Sequence, residues 1–335
     1  MLPLPERTAL RGANANPGLV FNKFVDKWPK VKPPEDKCPA DKSNGLGERK
    51  KAWLQEFTDT TATPDTTAQA DRLKRLAEAL GGQARDFTAT APFVTGMGLP
   101  HPVENGFAWH HSFGCPWLPG SSVKGLVRAW AEQWESADTA TCARIFGRTP
   151  DDPAAGSVIF FDALPTGAAK LVVEIITPHT GDWRITDSPA NSPPADWVSP
   201  NPIPFLAVAK GSTFRFAIAP RNGAAQEDIA TALGWLEAAL EWAGAGAKTA
   251  LGLGRLGSEE NLRKRKELET QLGQIRKQEE ERARRNAPPA KGDICSHDEY
   301  GRVEIKEIRG DMALVNAIEE GEDVELPLAE LRKKE

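Results

Sequence analysis

The stretch Gly244-Ala-Gly-Ala-Lys-Thr-Ala-Leu-Gly-Leu-Gly-Arg-Leu-Gly257 constrains this chain more than any other, with five glycines and two basic residues in fourteen positions. It directly follows an amphipathic helical pattern over Glu227–Ala243, in which Ile229, Leu233, Leu236 and Leu240 share one face. Glycines at this density imply a backbone that turns tightly or lets another molecule come close. A nucleotide-triphosphate P-loop needs G-x-x-x-x-G-K-[ST] after a strand and before a helix. Aligned on Lys248-Thr249, its two required glycines fall on Trp242 and Ala247, and the loop follows a helix. No ATP, and no cofactor, is expected here.

At 335 residues the chain has room for two domains, or for one large domain with an appendage. No apolar run approaches the roughly 18 residues that span a bilayer. The N-terminus Met1-Leu-Pro-Leu-Pro-Glu-Arg lacks a signal-peptide core. Cysteines 38, 115, 142 and 295 are scattered, as in a reduced cytosolic protein, so the expected compartment is the cytoplasm. The net charge of −5 is uneven: residues 292–335 carry 13 acidic and 6 basic side chains, which leaves residues 1–291 near +2. That balance permits a basic groove for nucleic acid in the body of the chain.

Residues 1 to 50 read as a wrapping arm, with Lys23, Lys27, Lys30 and Lys32 among Phe21, Phe24 and Trp28. Helices are expected at Ala52–Phe57 and at Ala68–Leu80, the latter with Leu73, Leu76 and Leu80 on one face. Strands are expected at Phe87–Thr95, Gly106–Phe113, Ser157–Asp162, Lys170–Thr177, Ile203–Val208, Thr213–Ala219 and Ala250–Arg255. The turn Pro165-Thr-Gly167 suggests that the 157–162 and 170–177 runs pair with each other. His110, His111 and Cys115 invite a metal, yet adjacent strand residues point to opposite faces, so no metal site is expected. Ser258 to Ala287 reads as a solvated helix, and residues 292–331 as a small acidic β-barrel of SH3-like type. The order strand, helix, strand, strand, helix, strand is that of a ferredoxin-like, RRM-type α+β fold with insertions. The expected organisation is an arm with helices over 1–85, the ferredoxin-like domain over 86–258, a charged helical linker over 259–290 and the barrel over 291–335.

In Leu118-Pro-Gly-Ser-Ser-Val-Lys-Gly-Leu-Val-Arg-Ala-Trp-Ala-Glu-Gln-Trp134, Pro119-Gly120 makes a turn and Ser121 or Ser122 is the expected N-cap. Val123, Leu126, Val127, Trp130 and Trp134 form the expected buried stripe, with Lys124 and Arg128 sharing another face. A helix start with free amides, two hydroxyls and two cations suits a phosphate, and equally suits a well-capped surface helix.

Phe93-Val-Thr-Gly-Met-Gly-Leu99, Leu118–Arg128, Ile145-Phe-Gly147, Gly156-Ser-Val-Ile-Phe-Phe-Asp-Ala163, Ile176-Thr-Pro-His179, Asn201-Pro-Ile-Pro204 and the glycine loop follow one another in fixed order. Together they resemble the RAMP superfamily of CRISPR effector proteins, and within it the subunit-six family of type III-B Cmr complexes. The resemblance covers roughly residues 90–257. It implies a RAMP domain that binds CRISPR guide RNA inside a multi-subunit antiviral ribonucleoprotein. The chain would lie near the filament head, by the guide 3′ region and the complementary target RNA. The implied neighbours are the backbone RAMP subunit, the small helical subunit and a second head RAMP subunit. It also tips Ser121, Ser122, Lys124 and Arg128 towards phosphate contact, along with Gly246, Lys248, Thr249, Gly252, Gly254 and Arg255 of the loop. His179, Trp183 and Arg184 fall in an implied thumb-like projection over Pro178–Pro204. The family's tyrosines after Pro-His are replaced here by Asp182-Trp183-Arg184, which leaves stacking to Trp183.

Two other functions compete with this non-catalytic one. A RAMP-type endoribonuclease would use His179 or Asp162, with His101 and Lys248 as further candidates, but no convergent pair stands at a telling spacing. A protein-interaction scaffold would instead dock a partner through the acidic barrel.

Overall fold

The described residues of this computed structural model are 15–25, 49–58, 63–148, 153–179, 195–221, 225–286 and 288–333. They begin with helix α1 (Pro17–Lys23), whose N-cap Asn16 accepts the Leu19 N–H at 3.1 Å and whose first position is proline. Helix α2 (Arg49–Gln55) turns Trp53 and Leu54 inward. Phe21 meets Phe57 and Trp109 at ring-centroid distances of 5.2 and 5.9 Å, and Trp53 meets Phe57 at 5.1 Å. The described parts of the expected arm are thus built into the core; Lys27, Lys30, Lys32 and Trp28 lie outside the described residues.

Helix α3 (Thr67–Ala79) buries Ala70 and Ala77, while Leu76 and Leu80 stay about half exposed. The expected leucine face is corrected to an alanine face, because small side chains let a helix approach a sheet closely. Strand β1 (Gln83–Ala89) follows, then the two-residue strands β2 (Pro100–His101) and β3 (Glu104–Asn105). The Gly106–Phe113 run makes only an isolated bridge, Trp109 with Pro116. His110 Nδ1 accepts the N–H groups of Ser112 and Phe113, which curls the chain.

Next come α4 (Gly120–Gln133), α5 (Thr139–Phe146), β4 (Val158–Phe160), β5 (Leu164–Pro165), β6 (Leu171–Ile176), β7 (Ile203–Val208) and β8 (Thr213–Pro220). Helix α6 (Gln226–Ala238) runs into a π-helical turn at Ala239–Ala243 and is followed by β9 (Leu256–Ser258). The main sheet has the order β4-β8-β1-β9, antiparallel throughout, with β5 also on β8. The expected β4–β6 pair does not form. The segment after β4 stays bonded to β8 through Leu164 and Pro165, and β6 pairs with β7 in a separate two-stranded sheet. The expected closing strand at Ala250–Arg255 is likewise shifted: Thr249–Leu251 is a 3-10 turn and the strand starts at Leu256.

Alternation along the strands divides the sheet's two faces. Phe87, Phe214 and Phe216 join the core cluster with Val123 and Val127 of α4 and Ile229, Leu233 and Leu236 of α6. On the other face Arg215 bonds Asp86 of β1 at 2.6 Å and Asp71 of α3 at 2.6 Å, so α3 is clasped over the sheet. These carboxylates hold the Arg215 guanidinium firmly charged. Trp134, expected in the buried stripe, is 68% exposed and stacks on Trp130.

The chain divides into two units, Met1–Leu262 and Arg263–Glu335. Helix α7 (Glu259–Asn286) leaves Leu268, Leu272 and Ile275 exposed, as a solvated helix does. After it, β10 (Ile294–His297), β11 (Gly301–Arg309), β12 (Met312–Ala317), β13 (Glu322–Pro327) and β14 (Arg332–Lys333) form one antiparallel sheet in the order β13-β12-β11-β10-β14. The sheet wraps Cys295, Val303, Ile305, Val315 and Leu326 into a small core. No ladder joins β13 to β14 among the described residues, so the sheet is open rather than a closed barrel.

Asp228 of α6, 2% exposed, accepts hydrogen bonds from Arg144 Nε at 3.0 Å and Ser157 Oγ at 2.7 Å, tying α5, β4 and α6 together. Burial alone would push its carboxyl pKa up; the bonds from Arg144 and Ser157 and the Arg144 charge outweigh that and hold it below the usual range. A depressed carboxylate pKa adds stability above the unfolded value of about 3.9, and that stability is lost as pH falls through the folded value. Asp228→Asn is therefore expected to lower the urea midpoint at pH 7 and to converge on the parent protein below pH 3, as paired denaturation curves would show.

Candidate nucleic-acid interface

The glycine loop is fastened at both ends and open at its tip. Ala245 N–H donates to Gly254 O at 2.8 Å, Ala247 N–H to Val94 O at 2.8 Å, and Gly254 N–H to Pro92 O at 2.7 Å. A Cβ at Gly246 would stand 2.0 Å from Val94 O, so glycine there is imposed by the backbone passing beneath it. These three amides are bound within the protein and do not face a ligand.

At the tip, Lys248 adopts φ +61° and caps the Thr249–Leu251 turn, which ends at Gly252 with φ +84°. Gly252 has open space around its Cβ direction, so its role is conformational. Lys248 is exposed, Thr249 half-buried, and Lys248 forms no ion pair among the described residues. Leu251 is 70% exposed. Sequence reasoning passed over it because Ala250–Arg255 reads as a closing strand. Arg255 lies on the return limb; its Nη1 is buried and has no partner among the described residues.

At the start of α4 the N-cap is Pro119, and neither Ser121 nor Ser122 caps the helix. Asp162 does so from a distant loop, its Oδ1 accepting the Gly120 N–H at 2.7 Å. A carboxylate already answers the helix dipole there, so the terminus is less receptive to a phosphate than the sequence implied. Ser121 and Ser122 are exposed and Lys124 is half-buried without an ion pair, whereas Arg128 is held by Glu132 at 2.7 Å.

Both candidate histidines bond a backbone carbonyl. Nδ1 of half-buried His179 bonds Val198 O at 2.8 Å and so anchors residues 195–201. His101 donates from Nε2 to Phe21 O at 2.8 Å, accepts the Val103 N–H at Nδ1, and stacks on Phe21 at 4.1 Å. Burial lowers its pKa, which keeps the ring neutral. The buried Cys115 thiol is pushed up to about 12 by desolvation, far from a metal-binding thiolate. Trp183 and Arg184 lie outside the described residues, but Trp197, next to the carbonyl that His179 holds, is 88% exposed.

The family model for the RAMP superfamily matches residues 86–257, just over half of the chain, from β1 through the glycine loop. The chain belongs to the RAMP superfamily. This RAMP protein is 26% identical over 295 residues to the CRISPR system Cmr subunit Cmr6 of Pyrococcus furiosus, covering 71% of this chain and 81% of that protein. It is 27% identical over 155 residues to the CRISPR system CMR subunit Cmr6 of Saccharolobus solfataricus, covering 44% and 50%. A chain of the cryo-EM structure of the type III-B Cmr-beta bound to cognate target RNA shares its fold, with a TM-score of 0.50 at 20% identity over 68% of this chain and 77% of that one.

The RAMP glycine loop separates its two glycine roles cleanly. Gly252→Ala is expected to cost about 1 kcal/mol of positive-φ strain alone. Gly246→Ala adds a clash with a fixed carbonyl and is expected to cost more than about 2 kcal/mol. Urea unfolding of the two variants side by side checks the difference.

Proposed function

We propose that this RAMP protein is a non-catalytic RNA-binding subunit of a cytoplasmic type III-B CRISPR effector complex. In this role it holds guide RNA and its complementary target RNA alongside other Cmr subunits. The observation that carries the reading is the relationship to the Pyrococcus Cmr6, which covers 71% of this chain and so extends beyond the superfamily match over residues 86–257. The sheet order β4-β8-β1-β9, with α4 and α6 on one face, supports a ferredoxin-like core within the RAMP domain. In the C-terminal unit the last strand returns to pair with the first, which supports an SH3-like, open-barrel arrangement.

Contacts with an RNA backbone need cations and donors in reach of phosphates, while base pairing supplies the specificity. Lys248 and Thr249 at the loop tip meet that need, as do Lys124, Ser121 and Ser122 beside α4. Arg128, engaged by Glu132, contributes less, and Gly246 and Gly254 act by shaping the loop. Trp197 offers a face for stacking a base. The non-catalytic part of the reading rests on His101, His179 and Asp162, each of which holds a backbone group through a ring nitrogen or a carboxylate oxygen.

Purified with its Cmr partners, the parent chain is expected to retain guide RNA. Lys124→Ala and Lys248→Ala should each flatten the dependence of log K on log salt by about 0.7, the increment for one single-strand phosphate. Equal retention by parent and both variants at every salt concentration would remove the assignment. Complexes carrying His179→Ala should cut complementary RNA at the parent rate, and loss of cutting with assembly intact would make His179 catalytic.

A further inference from the structure

A second donor-rich site lies away from the glycine-loop tip. A cavity of about 230 Å³ opens between the turn after β5, residues 165–170, and the turn before β8, residues 209–213. Lys170 and Lys210 line it, both exposed, and neither forms an ion pair among the described residues. Ser212, 8% exposed, also lines it. Its hydroxyl oxygen accepts the Lys170 N–H at 3.3 Å, and its proton has no acceptor among the described residues.

Two acceptors of the same turn are already used. Thr63 donates to Ala169 O at 2.6 Å and Thr66 to Pro165 O at 2.7 Å. The amides of Gly167, Ala168 and Ala169 donate to no protein group among the described residues. The carboxylate of Asp65, two residues ahead of α3, is held by the Thr67 N–H and hydroxyl at 2.9 and 2.6 Å. The lining residues therefore carry two ammonium groups, a buried hydroxyl and three amides without a protein acceptor among the described residues. That composition suits an oxyanion, which accepts hydrogen bonds and donates none.

Size and position choose among oxyanions. The volume falls below the roughly 300–1,000 Å³ of a small-molecule pocket, so the cavity fits one phosphate with its adjoining sugar better than a whole free nucleotide. Ala89, at the end of β1, exchanges hydrogen bonds with Gly211 and Ser212, while the next residue, Thr90, bonds Arg255 O at 2.8 Å. The cavity wall is therefore one residue along β1 from the return limb of the glycine loop.

We propose that this pocket holds a backbone phosphate of the bound RNA through Lys170, Lys210 and Ser212, a contact separate from that of Lys248. The proposal rests on the RNA-binding reading above. Lysine acylation footprinting of the full chain, read by mass spectrometry, tests it with oligouridylate and with inorganic phosphate at matched ionic strength. RNA is expected to reduce labelling of Lys170 and Lys210 severalfold, and to leave Lys74 on the exposed side of α3 unchanged. Protection by inorganic phosphate but not by RNA would assign the pocket to a free anion and overturn the backbone assignment. Absence of protection by both would overturn the pocket altogether, even where filter binding shows that the chain retains RNA. The double variant Lys170→Ala, Lys210→Ala should weaken RNA retention about tenfold and flatten its salt dependence by about 0.7. An unchanged slope in a variant with the parent's thermal midpoint counts against the proposal. Loss of RNA binding by the parent chain itself, with the two lysines still protected by phosphate, would instead count against the wider reading.

Discussion

Seven consecutive residues, 89–95, hold the RAMP domain together by sending their backbone groups to different partners. Ala89 exchanges bonds with the 211–212 turn and Thr90 bonds Arg255 O. Pro92 O accepts from Gly254, Phe93 exchanges both its bonds with Val208, Val94 O accepts from Ala247 and Thr95 O accepts from Ala108. All these distances lie between 2.7 and 2.9 Å. A buried backbone group must be paired, and here the pairing is distributed so that five separate segments converge on one strand extension. The glycine loop, the 209–213 turn and the β7 strand are positioned by that single stretch. Proline at 92 fits because its place in the arrangement calls only for the carbonyl, which accepts from Gly254.

The sheet itself is closed to ligands on both faces. One face carries Phe87, Phe214 and Phe216 into the core beneath α4 and α6. The other face carries Asp86 and Arg215, and α3 covers it with the help of Asp71. An RRM stacks bases on exposed sheet aromatics, and this sheet has none to offer. Whatever the domain binds must be met by the loops at the ends of the strands. This is where positive φ angles at Lys248 and Gly252 and the lysines without ion pairs are found.

Much of the fold was legible because periodicity reports burial directly. The helices α3, α4, α6 and α7 and the strands β6, β7 and β8 lie within a few residues of where apolar spacing puts them. The errors arose where long-range backbone bonds decide. Nothing local distinguishes a 157–162 strand that pairs with 170–177 from one that stays on β8, since both satisfy the same alternation. Leu73, Leu76 and Leu80 marked a helical face, but the buried face is Ala70 and Ala77, and propensity does not weigh how closely a helix can approach a sheet. The site was legible in its residue types and less so in its roles. Asp162 resembled a candidate catalyst and is a helix cap supplied from 42 positions away. The glycines looked like ligand-facing turns, and Gly246 is instead fixed by Val94 O.

The net charge of −5 becomes intelligible once the carboxylates are followed to their partners. In the first unit Asp71 and Asp86 answer Arg215, Asp228 answers Arg144, Glu132 answers Arg128, Glu237 answers Arg85 and Asp162 answers a helix terminus. These anions are used inside the fold, and their neighbours among the cations are used with them. In the C-terminal unit Lys306, Arg309 and Lys333 are paired with Asp323, Glu307 and Asp293, in a segment that has more acids than bases. Lys124, Lys170, Lys210 and Lys248 are outside this pairing. A ligand phosphate feels charges within roughly 8 Å at physiological salt, so the cations without ion pairs around it matter more than the net charge of the whole chain. An acidic chain can therefore present a basic surface, provided its carboxylates are satisfied first.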